Sequence, residues 1–78
     1  MSLLNKAPKG KYYTIVSVPN ISLLKSLGVR ENDTIYKKQS YFFGGPTLLE
    51  IDSREIAIGN QIASLIQVEE CEIFEQVS

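Results

Sequence analysis

Turn-forming residues break this chain into short runs, and five of these runs have the composition and alternation of β-strands. The runs are rich in β-branched and aromatic residues, which suit the pleated surface of a sheet. They cover residues 11–18, 34–40, 47–51, 55–58 and 65–68. Because the chain has only 78 residues, this pattern restricts it to one small, mainly β domain.

One segment departs from the alternation and predicts a short helix between the first two strands. Pro19 ends the first strand, and Asn20 follows at a position that suits a helix N-cap. The apolar residues at helical spacing are Ile21, Leu24 and Leu27, with Leu23 beside them. Gly28 comes next, where a helix commonly ends in a left-handed residue. We expect the face with Leu23, Leu24 and Leu27 to close the barrel, and the alternative is that it receives a partner helix.

Five short strands joined by tight turns, with one helix between strands 1 and 2, predict a small SH3-like β-barrel. We expect residues 1–68 to form this barrel and residues 69–78 to form an acidic C-terminal extension. The extension keeps Ile73, Phe74 and Val77 among its charges. The sequence leaves open whether it adds an edge strand, contacts a second copy in a homo-oligomer, or makes no fixed contact.

The residue types that the chain lacks argue against catalysis. It has no histidine and a single cysteine, which removes the commonest general base, the commonest zinc ligand and any internal disulfide. Cys71 lies between Glu70 and Glu72, whose negative charges disfavour a reactive thiolate. The sequence holds no nucleophile–base pair and no phosphate-binding glycine loop. We therefore expect no enzyme activity, no bound metal and no cofactor.

The cysteine content, the hydropathy and the charge distribution together indicate where the protein acts and what kind of partner it contacts. The lone cysteine suits a reducing environment, and no apolar run is long enough for a signal peptide or a membrane span. We expect a cytoplasmic protein that is not embedded in a membrane. Residues 1–30 hold five basic residues and no acidic one, whereas residues 69–78 hold four glutamates. This polarity can orient the domain against a charged partner, although mutual attraction of the two ends or simple solvation also accounts for it. The acidic isoelectric point of the sequence, about 5.3, disfavours nucleic acid as a partner.

Three consecutive aromatic residues, Tyr41, Phe42 and Phe43, precede a Gly-Gly-Pro turn and are the first candidate for contact with a protein partner. Only alternate residues of a strand face a core, so we expect at least one of these rings to be exposed. Lys25 and Ser26, on the outer side of the predicted helix, are the second candidate. The competing interpretation is that the loop covers the barrel end with its rings buried, and that the helix residues are only solvated.

The order of several short segments resembles the FeoA family, small cytoplasmic proteins of bacterial ferrous iron uptake. The matching segments are residues 7–10 (Ala-Pro-Lys-Gly), 23–29 around the helix end, 45–51, 55–58 and 63–68. Two positions depart from the family pattern. Gly59 stands where a basic residue is usual, and Ile62 stands where a glutamate is frequent.

The resemblance implies an SH3-like domain without enzyme activity that serves the ferrous iron transporter FeoB, through the transporter's cytosolic region. Two other functions stay open at this point. SH3-like domains similar to this one are appended to iron-dependent repressors, which suggests a metal- or ligand-responsive regulatory domain. The aromatic run and the basic N-terminal part also have the chemistry for stacking on single-stranded nucleic acid, the least favoured of the three functions.

Overall fold

The computed structural model describes residues 1–40 and 44–71. The strands of the fold are β1 Ser2–Leu3, β2 Lys11–Ser17, β3 Thr34–Ser40, β4 Thr47–Ile51, β5 Arg54–Ile58 and β6 Gln67–Glu70. Two short helices, α1 Ser22–Leu27 and α2 Asn60–Ala63, follow β2 and β5. The strands form one sheet in the order β1-β6-β2-β3-β4-β5, with every neighbouring pair antiparallel. The prediction of a mainly β fold with a helix between the first two long strands is confirmed.

The sheet does not close into a complete barrel within the described residues. At its two ends, β5 pairs only with β4 and β1 pairs only with β6. Register shifts interrupt β2 between Ile15 and Ser17, and β3 between Lys37 and Gln39. Such bulges bend a strand and increase its twist, so they allow a sheet of short strands to wrap around one core.

The core is built from one face of the sheet and from single residues of the helices and loops. Inward-facing residues alternate along the strands, as Tyr13 and Ile15 do in β2 and Leu49 and Ile51 do in β4. The buried apolar residues are Leu4, Ala7, Tyr13, Ile15, Leu24, Val29, Ile35, Leu49, Ile51, Ile58, Ala63, Ile66 and Val68. Since Leu4 and Ala7 belong to this set, the segment before β2 is an integral part of the fold.

The last strand begins later and ends later than the sequence predicts. Leu65 and Ile66 continue the turn after α2, because their amides donate to the carbonyls of Ile62 and Ala63. The strand therefore starts at Gln67 and continues beyond residue 68 to Glu70, where β2 still supplies pairing partners.

The start of α1 also differs from the prediction. The N-cap is Ile21, with no side-chain hydrogen bond at the cap, rather than Asn20. The amide of Ile21 donates to the carbonyl of Pro19 at 2.9 Å, which places Asn20 inside a tight turn. The helix ends as predicted at Gly28, whose φ of 81° is left-handed.

Both helices are short. Among the described residues the longer helix has 6 residues, whereas crossing a bilayer takes about 20. No helix in that part of the chain meets the length and hydropathy of a membrane span.

Candidate functional site

The outer surface of α1 is the best-defined candidate contact surface among the described residues. Leu24 is the one residue of this helix that is buried, at 1% exposed. Its neighbour Leu23 is 47% exposed, and Lys25 and Ser26 are exposed too. Because residues three apart lie on the same side of a helix, Leu23 and Ser26 adjoin one another. We call Leu23, Lys25 and Ser26 the α1 surface.

The α1 surface corrects one expectation and adds a residue to the predicted site. The leucine pattern led us to expect Leu23 to pack inward with Leu24 and Leu27. Adjacent helical positions diverge by about 100°, so only one of the two neighbouring leucines can point into the core. The structure turns Leu24 inward, and Leu23 joins Lys25 and Ser26 as an exposed apolar side chain.

The C-terminal end of α1 is held against the β4–β5 turn. Arg54 Nη2, at the start of β5, donates a hydrogen bond to the carbonyl oxygen of Leu27 at 3.1 Å. This carbonyl is one of those that a helix end leaves without an internal partner, so Arg54 completes the cap. A Cβ atom on Gly28 would lie 3.0 Å from Arg54 Nη2, which makes this a close approach. The α1 surface is thus fixed to the sheet at the Ile51 end of β4.

The predicted aromatic site, Tyr41, Phe42 and Phe43, lies outside the described residues. The residues that flank it are Ser40 at the end of β3 and Gly44 before β4. Ser40 pairs with Thr47, the first residue of β4, whereas α1 is attached near the last residue of that strand. A five-residue strand rises about 13 Å over its length. The two predicted parts of the site are therefore attached at opposite ends of β4.

A pair of tyrosines that was not among the predicted site residues lies on the outer face of the sheet. Tyr12 of β2 is directly opposite Tyr36 of β3, with ring centroids 4.9 Å apart and planes tilted by 54°. Tilted aromatic pairs at this distance stabilise a sheet. Tyr12 is still 44% exposed. Alternation puts Tyr12 and Tyr36 on the outer side of their own strands, but only the register brings them together.

A buried lysine anchors the segment before β2. Lys37 of β3 is 1% exposed, and its Nζ donates to the carbonyl oxygens of Leu4, at 2.7 Å, and of Ala7. The Tyr13 hydroxyl donates to the Pro8 carbonyl at 2.6 Å. These hydrogen bonds satisfy carbonyls of a turn that has no ladder partner, and they bind that turn to the core face of the sheet.

Burial shifts the titration of both anchoring groups. Desolvation by burial lowers the pKa of the Lys37 ammonium below its ordinary value of 10.5, because it disfavours the charged form. Desolvation raises the pKa of the Tyr13 phenol above 10.0, and the negative charge of Glu70 raises it further. The two groups therefore titrate in opposite directions relative to the unfolded chain.

These shifts predict a maximum of stability in the alkaline range. Between the folded pKa of Lys37 and 10.5 the unfolded state binds more protons, so the free energy of unfolding rises with pH. Above 10.0 the folded state retains the Tyr13 proton that the unfolded state releases, so the free energy of unfolding falls. Urea unfolding at steps from pH 8 to 11 measures both trends. Lys37→Met should remove the rise, Tyr13→Phe should remove the fall, and unchanged profiles in these variants would contradict the assignment.

A cleft of about 730 Å³ lies between the N-terminal turn, the end of β3 and the start of α2. Its described lining is Asn5, Lys6, Ala7, Pro8, Lys9, Ser40, Gly44 and Asn60. This lining contains two lysines and no carboxylate, so its charge suits anions better than metal cations. Over residues 1–40 and 44–71, no three His, Cys, Asp or Glu side chains come together as a metal site.

The comparisons with known proteins agree with this architecture. A family model described as the FeoA domain matches residues 2–70. A crystal structure of an iron uptake regulatory protein (FeoA) superposes with a TM-score of 0.81 at 24% identity, covering 90% of this chain and 96% of that one. An NMR structure of a FeoA-like protein from Clostridium acetobutylicum gives 0.76 at 16% identity, covering 97% and 93%. These likenesses confirm the predicted SH3-like fold.

A second kind of neighbour is a longer protein. The crystal structure of ScaR with bound Zn²⁺ superposes with a TM-score of 0.82 at 25% identity. The match covers 91% of this chain and 37% of ScaR, so the similar domain is a minor part of that protein. No curated protein sequence matches the chain significantly.

Proposed function

Because the chain belongs to the FeoA family, we propose that it is a non-enzymatic accessory protein of bacterial ferrous iron uptake. It acts in the cytoplasm by contact with the cytosolic region of the ferrous iron transporter FeoB. The observation that carries this proposal is the family match over residues 2–70, which leaves only the chain ends unmatched. The likeness to an iron uptake regulatory protein over nearly the full length of both chains supports it.

We propose the α1 surface as one part of the contact. Leu23 and Lys25 lie on opposite flanks of the helix, with Ser26 between them. The surface therefore offers apolar area on one side and, on the other, a charge that selects an acidic partner. The surface is also rigid, because Leu24 packs beneath it and Arg54 holds the helix end. A preformed surface loses little conformational entropy on binding. The aromatic run Tyr41–Phe43 remains the second proposed contact.

An NMR titration of labelled protein with the transporter's cytosolic region tests this proposal. We expect amide shifts at Leu23, Lys25 and Ser26, and about tenfold weaker binding for the double variant Leu23→Ala/Lys25→Glu. The Phe42→Ala/Phe43→Ala variant tests the aromatic run in the same way. Leu65→Ala is the matched control, because Leu65 is 55% exposed at a different place, before β6. An absence of shifts at high partner concentration would contradict the proposed contact with the cytosolic region.

The likeness to ScaR favours a second candidate function, regulation by a metal ion. The ScaR structure holds zinc, and its similar domain is one part of a longer chain. Calorimetric titration of this protein with Zn²⁺ and Fe²⁺ distinguishes the two candidates. Stoichiometric binding would favour the metal-responsive function, whereas transporter binding without metal would favour the accessory function.

A further inference from the structure

Among residues 1–40 and 44–71, the strand β5 is an edge of the sheet that no other strand covers. It pairs with β4 over all five of its residues, from Arg54 opposite Ile51 to Ile58 opposite Thr47, without a register shift. The connecting turn consists of Asp52 and Ser53, both with left-handed φ, at 52° and 66°. Two-residue turns of this kind make the residues that flank them a hydrogen-bonded pair. That pair determines which backbone N–H and C=O groups of β5 point toward β4 and which point away from it.

The outward-facing backbone groups of β5 belong to Glu55 and Ala57. Hydrogen-bonded and non-hydrogen-bonded pairs alternate along an antiparallel ladder, so Arg54, Ile56 and Ile58 bond to β4. The amides and carbonyls of Glu55 and Ala57 point the other way. Over the described residues, no hydrogen bond joins these four groups to another part of the chain. Both residues are exposed, so the edge is open to a further strand.

The edge has few of the features that prevent strand pairing. Its five residues include no proline and no bulge, which are two common means of protecting an edge strand. Its charged residues are Glu55 and Arg54, whose guanidinium donates to the Leu27 carbonyl. Its single carboxylate, Glu55, lies 3.7 Å from the ammonium of Lys38. That ion pair reduces the charge that a neighbouring strand would meet. The other end of the sheet, β1, is only two residues long and offers a much shorter edge.

We infer that β5 pairs antiparallel with β5 of a second copy about a two-fold axis at Ile56. In this register Glu55 faces Ala57 of the second copy, and Ala57 faces its Glu55. All four outward groups of each strand are then hydrogen-bonded, and the two Ile56 side chains meet across the axis. A two-fold axis at Glu55 would instead place the Glu55 carboxylates of the two copies opposite each other.

The remaining alternative is a two-fold axis at Ala57, which would bring Glu55 opposite Gly59. The carbonyl of Gly59 already accepts a hydrogen bond from the amide of Ala63 at 2.9 Å. This register therefore meets an acceptor that is already in use. The Ile56 register has no such conflict, since it uses only groups that lack partners. The pairing is independent of the proposed role in iron uptake, because it needs only this protein.

Sedimentation velocity and amide shifts of the isolated protein, from about 10 µM to about 1 mM, test the inference over the range of weak dimers. We expect concentration-dependent shifts centred on Glu55, Ile56 and Ala57. Ala57→Pro should abolish them, because it removes an outward amide that β4 does not use. Ala57→Ser retains that amide and is the matched control.

Two charge variants test the register itself. Ala57→Lys places a cation opposite Glu55 of the second copy and should tighten the dimer, whereas Ala57→Glu places like charges opposite and should weaken it. We expect a change of at least about threefold in each direction. Wild-type protein that stays monomeric up to about 1 mM, equal effects of the two variants, or shifts at β5 only when another polypeptide is added would overturn the inference.

Discussion

Replacing Lys37 with alanine is expected to lower the free energy of unfolding by about 3 kcal/mol. The substitution deletes two hydrogen bonds and leaves the carbonyl oxygens of Leu4 and Ala7 without a donor in a dry environment. It also opens a cavity where the lysine side chain lay, since Lys37 is among the largest fully buried side chains. A domain of 78 residues has a total stability of about 4–12 kcal/mol. Urea unfolding followed by circular dichroism measures the loss.

The methionine variant separates the contribution of the hydrogen bonds to stability from the contribution of the filled volume. Lys37→Met fills most of the same space but cannot donate to the two carbonyls, which costs about 2 kcal/mol. It also removes the unfavourable burial of an unpaired ammonium, which acts in the opposite direction. We expect the hydrogen bonds to dominate, so that Lys37→Met loses about 1 kcal/mol. A methionine variant more stable than the wild type would show that desolvation of the ammonium outweighs its two bonds.

Lys38→Ala is the control for both variants. The side chain of Lys38 is 39% exposed, and within the described part of the chain its one ion pair is with the half-exposed Glu55. Exposed pairs of this kind contribute little, so the change should stay within about 0.5 kcal/mol. A large loss in Lys38→Ala would mean that the charge of β3, rather than the anchoring of the N-terminal turn, governs stability.

The strands were predictable from the sequence wherever their pattern is local. Alternation and turn residues place β3 and β4 at the bounds that the structure has, residues 34–40 and 47–51. The same alternation puts Lys37 on the inner side with Ile35. The residue type alone would place Lys37 at the surface, because a lysine is rarely buried without a charged partner. Here two backbone carbonyls from the N-terminal turn take the place of a carboxylate.

Features that depend on distant partners were not predictable. The two residues of β1 form a strand only because Val68 and Gln67 lie opposite them, and no local pattern marks this pairing. Glu69 and Glu70 read as the start of an acidic extension. They continue β6 because Thr14 and Tyr13 pair with them, and the charge of Glu70 is met by Lys11 at 3.3 Å.

The candidate site likewise has one part that the local sequence predicts and one part that depends on tertiary packing. Helical spacing puts Lys25 and Ser26 on the outside of α1, and both are exposed. The spacing did not decide between Leu23 and Leu24, since either leucine can complete an apolar face with Leu27. That choice depends on how the helix is rotated over the core, which tertiary packing sets.

Leu24→Ala is expected to lower the free energy of unfolding by about 3 kcal/mol, while Leu23→Ala changes it by less than about 0.5 kcal/mol. The two substitutions are chemically identical and adjacent, so they differ only in burial. Leu24 is 1% exposed and is the one buried residue of α1. A helix of 6 residues has no stability of its own and depends on such packing. Urea unfolding of the two variants side by side provides the comparison.

Hydrogen exchange shows where the stability is lost. If Leu24 holds α1 to the core, the amides of Gly28 and Val29, which bond back to the helix, should exchange much faster in Leu24→Ala than in Leu23→Ala. Transporter binding should weaken in both variants, because one loses a contact residue and the other loses the rigid helix that presents the α1 surface. Equal destabilisation by the two substitutions would mean that Leu23 also packs inward. The α1 surface would then lose its apolar residue, and the proposed contact would depend on Lys25, Ser26 and the Tyr41–Phe43 run alone.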